Sequence, residues 1–386
     1  MAESPDNPFE YGRELGPGEI ADRETEVAEV SDALVEGHKH FLIGPRRYGK
    51  SSVHNVGAHQ ARKKGALVLR YNVQAFTRLE DLAAAIVVDS AKLVKGPAAK
   101  VADGIAKFFR ELRPVVGFSA LDQTWSVSLG AAGDRKPVPL LVDALHGLER
   151  LAASEKRPLG LILDEFQQVV APGGHDAEAQ IRAVVQEHRK VGYVFAGSDS
   201  RMLAAMTSDP ARPLYRLGSV RFLDLVPRPA FTKYLRERFA LLKAKVSDEA
   251  IAAILEEADD VPYNVQLLAH QCWNALRDRH PPALGPEDVT TIHVAAARRL
   301  DPVYSEQWQG LSGAQRRALQ AVIALRGDGL YSAGATSRFQ LTASAMQGAV
   351  EGLMEKRVCW RETKNGESRV RLEDPLFGVW VRAYTK

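Results

Sequence analysis

Cysteine is nearly absent from this 386-residue chain: Cys272 and Cys359 are the only two, and they form no CxxC pair. That excludes a disulfide framework and fits a reducing cytosol, with both thiols read as small buried apolar side chains. An excess of one charge is also missing. The 51 Lys and Arg against 48 Asp and Glu leave a net charge of +3, so a nucleic-acid patch would have to be local. No uninterrupted apolar run is long enough to span a bilayer. The start, Met1-Ala2-Glu3-Ser4-Pro5-Asp6-Asn7, is acidic and polar where a signal peptide would be basic and then apolar. The expectation is a cytoplasmic protein with no membrane partner. What the chain does have, 45% hydrophobic and 26% charged residues, suits two or three globular domains with a sizeable core.

One stretch organises the rest. Gly44-Pro45-Arg46-Arg47-Tyr48-Gly49-Lys50-Ser51 directly follows the apolar run Phe41-Leu42-Ile43 and matches G-x-x-x-x-G-K-[ST]. In that pattern a strand feeds a glycine-rich turn whose N–H groups, with the following helix N-terminus, cradle phosphates. A helix is expected from Ser51 to about Lys63. The nucleotide-binding candidates are therefore Gly44, Pro45, Arg46, Arg47, Tyr48, Gly49, Lys50, Ser51 and the adjoining Ser52, with the Ser51 hydroxyl a Mg²⁺ ligand.

A second anchor is Leu159-Gly160-Leu161-Ile162-Leu163, a continuous apolar run typical of a strand buried on both faces, which ends in Asp164-Glu165. The chemistry of phosphoryl transfer to water needs one acid near Mg²⁺, Asp164, and one to orient or deprotonate the water, Glu165. Adjacent Asp and Glu favour an ATPase over a kinase or GTPase. A further strand, Val191 to Ala196, ends in Gly197-Ser198-Asp199-Ser200. Ser198 is the candidate to sense the γ-phosphate or the water, and the alternative is a Ser/Asp cap on the next helix.

The remaining pattern supplies the frame. Residues 1–19 carry Pro5, Pro8, Gly12, Gly16, Pro17 and Gly18 and read as a leader lying over the first domain or partly disordered, with Phe9 and Tyr11 able to dock. Helical spacing runs from Asp22 to Gly37, from Arg78 to Val94 and from Val138 to Ser154; Ala66 to Val73 reads as a strand. Within 96–136, treated as an insertion, Ile105 to Leu112 reads as helix, and Val115 to Phe118 with Trp125 to Leu129 as a hairpin. Leu214-Tyr215-Arg216 and Arg221 to Leu225 are expected to give a fifth strand. Strands alternating with helices predict an α/β fold, a doubly wound parallel sheet over 20–228 with its site at the C-terminal strand ends. An all-helical lid over 229–300 follows, with breaks at Ser247, Asp259-Asp260, Pro281-Pro282 and Gly285. Over 301–386, helices at Ser312 to Leu325 and Ser344 to Lys356, a connector at Thr336 to Gln340, and two strands flanking Lys364-Asn365-Gly366 give the order of a winged helix.

From Leu311 onward twelve Lys and Arg stand against seven Asp and Glu, with Lys356, Arg357, Arg361, Lys364, Arg369 and Arg371 on or beside the wing. Two readings stay open. One is a patch for DNA phosphates; the other is a wing packed on the core or on a protein partner, favoured by a recognition helix of mostly Ala, Ser, Met, Gln and Glu.

Together Asn7-Pro8-Phe9, Asp22-Arg23-Glu24, the loop with its arginine pair, Leu163-Asp164-Glu165, Gly197-Ser198, Pro213-Leu214-Tyr215-Arg216, Pro262-Tyr263 and Asp374-Pro375-Leu376-Phe377 resemble the archaeal-type ATPase family. That family belongs to the AAA+/STAND group of P-loop ATPases and is related to origin-recognition initiators. The resemblance covers most of the chain. It implies an AAA+-like core, a helical lid and a C-terminal winged helix, with ATP bound and hydrolysed. Carried over by position, Lys50 and Ser51 serve the phosphates and Mg²⁺, Asp164 and Glu165 the metal and water, and Ser198 the sensor strand. Arg216, in competition with Arg221, would approach the γ-phosphate, and Pro262 would lie against the nucleotide. Asp22, Asp259 and Asp260 stand where the family commonly has glycine, which puts the lid contact and the base pocket in question. The leading expectation is an ATP-dependent molecular switch with an unidentified protein partner and compatible with nucleotide-dependent oligomerisation. The alternatives are an initiator- or loader-like DNA-binding ATPase and a scaffold that holds nucleotide without turnover.

Overall fold

Five short parallel strands form the centre of the first half of the chain: β1 (Lys39–Ile43), β2 (Leu67–Asn72), β3 (Leu159–Asp164), β4 (Val191–Gly197) and β5 (Ser219–Phe222). They lie in the order β2-β3-β4-β1-β5. In this computed structural model, which describes residues 5–120, 122–130, 136–170, 174–277, 283–364 and 367–385, the chain divides into two compact units. Gly12–Val226 form one; Met1–Tyr11 with Pro227–Lys386 form the other.

Composition explains the strand order. Every residue of β3 and β4 is buried, as expected of apolar strands in the middle of a parallel sheet, whereas β5 is mostly exposed and takes an edge. The register aligns the strand ends: Ile43 pairs with Gly197, Leu163 with Phe195, and Asn72 with Asp164. Residues following β1, β3 and β4 therefore emerge at one edge of the sheet. Helix α1 (Glu24–Glu36) lies across the sheet so closely that a Cβ at Gly192 would collide with the Ala33 backbone.

The stretch over 96–136 is a helix, Ala98–Phe108, a short 3-10 turn and an antiparallel pair, Pro114–Ser119 with Thr124–Leu129. The helix starts seven residues earlier than the spacing suggested. Val101, Ile105, Phe109 and Leu112 are fully buried in the main core, so this stretch is part of what closes the unit. The fifth strand corrects an expectation. It comprises Ser219–Phe222, while Leu214 to Arg216 lie in a turn held by Tyr215 N–H to Arg212 O and Leu217 N–H to Leu214 O (3.1 and 3.2 Å).

In the second unit the four expected lid helices are present, Arg228–Phe239, Asp248–Glu257, Pro262–Arg277 and Pro286–Arg298, but the lid is not all-helical: Lys245–Val246 pairs in parallel with Ala283–Leu284. Ser247 caps the second helix by accepting from Ala250 N–H at 3.1 Å. The break at Pro281-Pro282 lies outside the described residues. Beyond them, Gly313–Ala324, Ala333–Arg338 and Ala343–Glu355 precede the antiparallel pair Cys359–Lys364 and Glu367–Leu372, which is the winged-helix order; Asn365 and Gly366 of the turn are outside the described residues. Three helices were not expected. Ala333–Arg338 replaces the connector because Ser332 caps it through Ala335 N–H. Asp301–Gln309 and Pro375–Tyr384 complete the core with Tyr304, Phe377 and Trp380.

The leader meets expectation only in part: Glu14 and Leu15 lie over the first domain, on Arg70, Ser52 and Asn55, but residues 5–11 belong to the second unit. Phe9 is fully buried against Phe239, Trp273 and Tyr234, with ring centroids at 4.8, 6.0 and 6.3 Å. Asn7 donates to His270 O and Asn274 Oδ1, at 3.1 and 3.0 Å. Asn7, Phe9 and Tyr11 thus pack with the helices after Pro227. Among the described residues no helix is long and apolar enough to cross a membrane.

Candidate active site

The loop after β1 ends at Gly49, whose φ of 89° is the left-handed geometry that glycine adopts without strain. A Cβ there would meet no atom within 4 Å, so glycine is needed for its backbone conformation and not for space. Gly44 is required for the opposite reason: a Cβ on it would press on Leu223 at 2.9 Å. Helix α2 (Lys50–Lys63) begins at once and carries no acid in its first turn, which leaves its N-terminal dipole for an anion.

Lys50 is the first residue of α2 and is buried. Its ammonium donates to Gly44 O at 2.7 Å and Pro45 O at 2.8 Å. Burial lowers its pKa to about 8 from the usual 10.5, opposed by Asp164 and Glu165 and assisted by Arg46. Arg46 is exposed, Tyr48 is buried, and Arg47 takes a positive φ of 69°.

At the end of β3 the chain turns sharply. Glu165 has a φ of 55°, a strained value for a non-glycine residue. Its N–H caps Asp164 Oδ1 at 3.0 Å, and Phe166 N–H donates to Ala196 O at 2.9 Å, which swings the Glu165 side chain toward the end of β4. There Oε2 of Glu165 accepts from the Ser198 hydroxyl at 2.8 Å, Ser198 N–H at 3.3 Å and Gln167 Nε2 at 2.5 Å. Asp164 Oδ2 accepts from the Ser51 hydroxyl at 3.1 Å and lies 3.0 Å from His54 Nε2. Burial would raise the Asp164 pKa, but the His54 hydrogen bond, followed by Lys50 and Glu165 N–H, outweighs it and holds the carboxyl at about 2.

Lys50, Ser51, Asp164, Glu165 and Ser198 are thus brought together. Ser51 and Asp164 supply hard oxygen donors side by side, the chemistry that suits Mg²⁺. Other expected residues are placed elsewhere. The Ser52 hydroxyl accepts from Leu15 N–H at 3.0 Å and so faces the leader. Arg216 is exposed, with its guanidinium over the Tyr215 ring at 5.1 Å. Its competitor Arg221 is engaged by Glu29 of α1 through two hydrogen bonds. Pro262 is the first residue of its helix in the other unit. Asp259 and Asp260, with φ of 54° and 58°, keep the left-handed backbone that glycine would supply, and their carboxylates bind arginine: Asp259 binds Arg369 and Arg371, Asp260 binds Arg228. Wing residues Arg369 and Arg371 are therefore engaged with the lid.

Three site residues were missed: His54, Arg70 and Gln167. For His54 a signal existed, since it stands one helical turn after Ser51 and shares its face. Gln167 has its Oε1 buried without a partner among the described residues.

No protein-family model matches the sequence, and no curated protein matches it. Solved structures do share the fold. The Walker-type ATPase Paby2304 of Pyrococcus abyssi aligns at a TM-score of 0.57 with 16% identity, over 97% of this chain and 99% of that one. The ORC2 protein of Aeropyrum pernix in its ADPNP–ADP complexes aligns at 0.54 with 14% identity, over 97% and 96%. Its ADP form aligns at 0.50 with 13% identity, over 98% of each chain. The fold is accordingly that of these structures: a parallel-sheet α/β core carrying the G-x-x-x-x-G-K-[ST] loop, then a helical lid and a C-terminal winged helix.

Proposed function

We propose that this chain binds MgATP and hydrolyses it, as a molecular switch whose nucleotide state is read out through the winged-helix unit or a protein partner. The observation that carries the reading is the convergence of Lys50, Ser51, Asp164, Glu165 and Ser198 on the ends of three strands, with Ser51 and Asp164 joined at 3.1 Å. A fold shared with a Walker-type ATPase and with an ORC2 protein seen in ADPNP–ADP complexes supports it.

Each residue has a task that its chemistry allows. The N–H groups of the loop and of the first turn of α2 bind phosphate oxygens. Lys50 exchanges the carbonyls of Gly44 and Pro45 for those oxygens, a stronger pairing for an ammonium. Ser51 and Asp164 would hold the magnesium ion, which when bound neutralises charge on the phosphates. Glu165 orients water and accepts its proton; Oε2 is anchored by Ser198 and Gln167, while Oε1 accepts no hydrogen bond among the described residues. A duplex-binding reading has less support, because Arg369 and Arg371 are committed to Asp259.

ATP binding and phosphate release by purified variants test the assignment. Lys50→Ala should abolish binding. Glu165→Gln should retain ATP and lose turnover by roughly 10²–10⁴-fold, the range for removing a general base. Unmutated turnover in Glu165→Gln would overturn the role of Glu165.

A further inference from the structure

His54 is a polar side chain placed where α2 packs against the sheet, and it is only 1% exposed. An apolar residue would fill that space at no electrostatic cost, whereas a buried imidazole needs partners for both ring nitrogens. Both have them. Nε2 lies 3.0 Å from Asp164 Oδ2, and Nδ1 lies 3.3 Å from Arg70 Nη1 on β2. Arg70 in turn donates to Glu14 Oε2 at 2.5 Å.

The donor inventory sets the direction of this chain. A guanidinium only donates, so Nδ1 of His54 is the acceptor, and the ring proton sits on Nε2 and is given to Asp164. A protonated Nε2 cannot ligate a metal. It can fix the rotamer of a carboxylate that does, the role that outer-shell partners play around metal ligands. The same Asp164 oxygen accepts from Ser51, the other candidate ligand, so the hydrogen bond from His54 sets where the two donors stand.

We propose that His54 is a positioning residue for divalent-cation binding: donating from Nε2, it holds Asp164 in line with Ser51, and Arg70 backed by Glu14 fixes its tautomer. The proposal rests on the reading of the site as a MgATP site and assigns to the leader a part in it. Leu15 is tied to α2 on either side of His54, its N–H donating to Ser52 Oγ at 3.0 Å and its carbonyl accepting from Asn55 Nδ2 at 3.1 Å. Glu14 thereby reaches the imidazole through Arg70, and Leu15 fastens the neighbouring face of α2 at Ser52 and Asn55.

The test is titration of Mn²⁺ into the full chain with ADP, followed by electron paramagnetic resonance, alongside binding of a fluorescent ADP in EDTA. His54→Leu should weaken Mn²⁺ binding by about tenfold or more, the scale for loss of an outer-shell partner, with metal-free ADP affinity unchanged. His54→Gln, whose amide N–H extends about as far as Nε2, should recover most of the loss, and Arg70→Met should fall between. Thermal unfolding identifies a His54→Leu chain that has not folded, in which case the Gln and Arg70 variants decide. Unaltered Mn²⁺ affinity in a folded His54→Leu chain, or a Gln variant as weak as Leu, overturns the proposal and leaves the ATPase reading standing. Absence of ADP-dependent Mn²⁺ binding in the unmutated chain overturns both.

Discussion

Asp164 in the first unit and Glu257 in the second have the same electrostatic signature. Each carboxyl is held at about 2, and each faces a buried histidine, His54 at 3.0 Å and His293 at 3.4 Å. For Asp164 burial is the largest single effect, and His54, Lys50 and the Glu165 N–H together overcome it; for Glu257 the His293 hydrogen bond is the largest cause, with Arg382 adding to it. Their remaining partners differ in kind. Asp164 is completed by the Ser51 hydroxyl and the Glu165 N–H, which are neutral donors. Glu257 is completed by the Arg382 guanidinium at 2.7 Å, and two residues on, Asp259 is held by Arg369 and Arg371. Neutral donors orient a carboxylate and leave its charge for a cation; guanidinium donors cancel it. A depressed carboxyl pKa therefore marks a well-bonded carboxylate, and the charge of its donors separates a site from a fastening.

The sharpest way to break this comparison is Asp164→Asn. Turnover should fall about 10²–10³-fold, the scale for deleting one preorganised electrostatic contact, with a smaller loss in the unfolding midpoint, because the amide oxygen still accepts from Ser51 and His54 while the Glu165 N–H loses its acceptor. A large stability loss with little kinetic effect would make Asp164 a fastening like Glu257.

In the second unit the effects should be inverted. Arg371 is 5% exposed and bonds both Asp259 and Glu362. Arg371→Met should cost about 3 kcal/mol in denaturant unfolding, since it removes one charged donor shared by two carboxylates, with basal ATP turnover unchanged. A midpoint equal to that of the unmutated chain would remove the lid–wing fastening from the argument.

The smallest effect is in the proton linkage of Glu257. Its folded pKa of about 2 lies below the usual 4.5, so between those values the unfolded chain binds the proton that the folded chain refuses. The stabilisation is present above pH 4.5 and is lost as pH falls toward 2. Thermal midpoints of the unmutated chain and Glu257→Gln should therefore differ at neutral pH and converge in acid. Parallel curves would show that Glu257 does not carry the linkage.

What the sequence disclosed followed its periodicity. The loop, the buried run into Asp164-Glu165 and Ser198 were legible because each lies within a few residues of a strand end. Arg70 was not, because it reaches His54 only through the pairing of β2 with β3, where Asn72 stands opposite Asp164. The wing's basic residues could be counted, but the partner of Arg369 and Arg371 lies more than a hundred positions earlier, on Asp259. The aspartates at 259 and 260 read as departures from glycine; the backbone they adopt is the left-handed one, and the carboxylates add a function that glycine lacks.

Phe9 has a consequence for how the chain is made. It completes an aromatic core whose other members, Tyr234, Phe239 and Trp273, lie beyond an entire intervening unit. During synthesis, where units generally fold in order of emergence, residues 12–226 can close while residues 5–11 wait undocked. A fragment beginning at Pro227 would carry an unfilled aromatic pocket, and a peptide spanning residues 5–11 is what would fill it. A segment translated ahead of residues 12–226 is thus among the last to find its place.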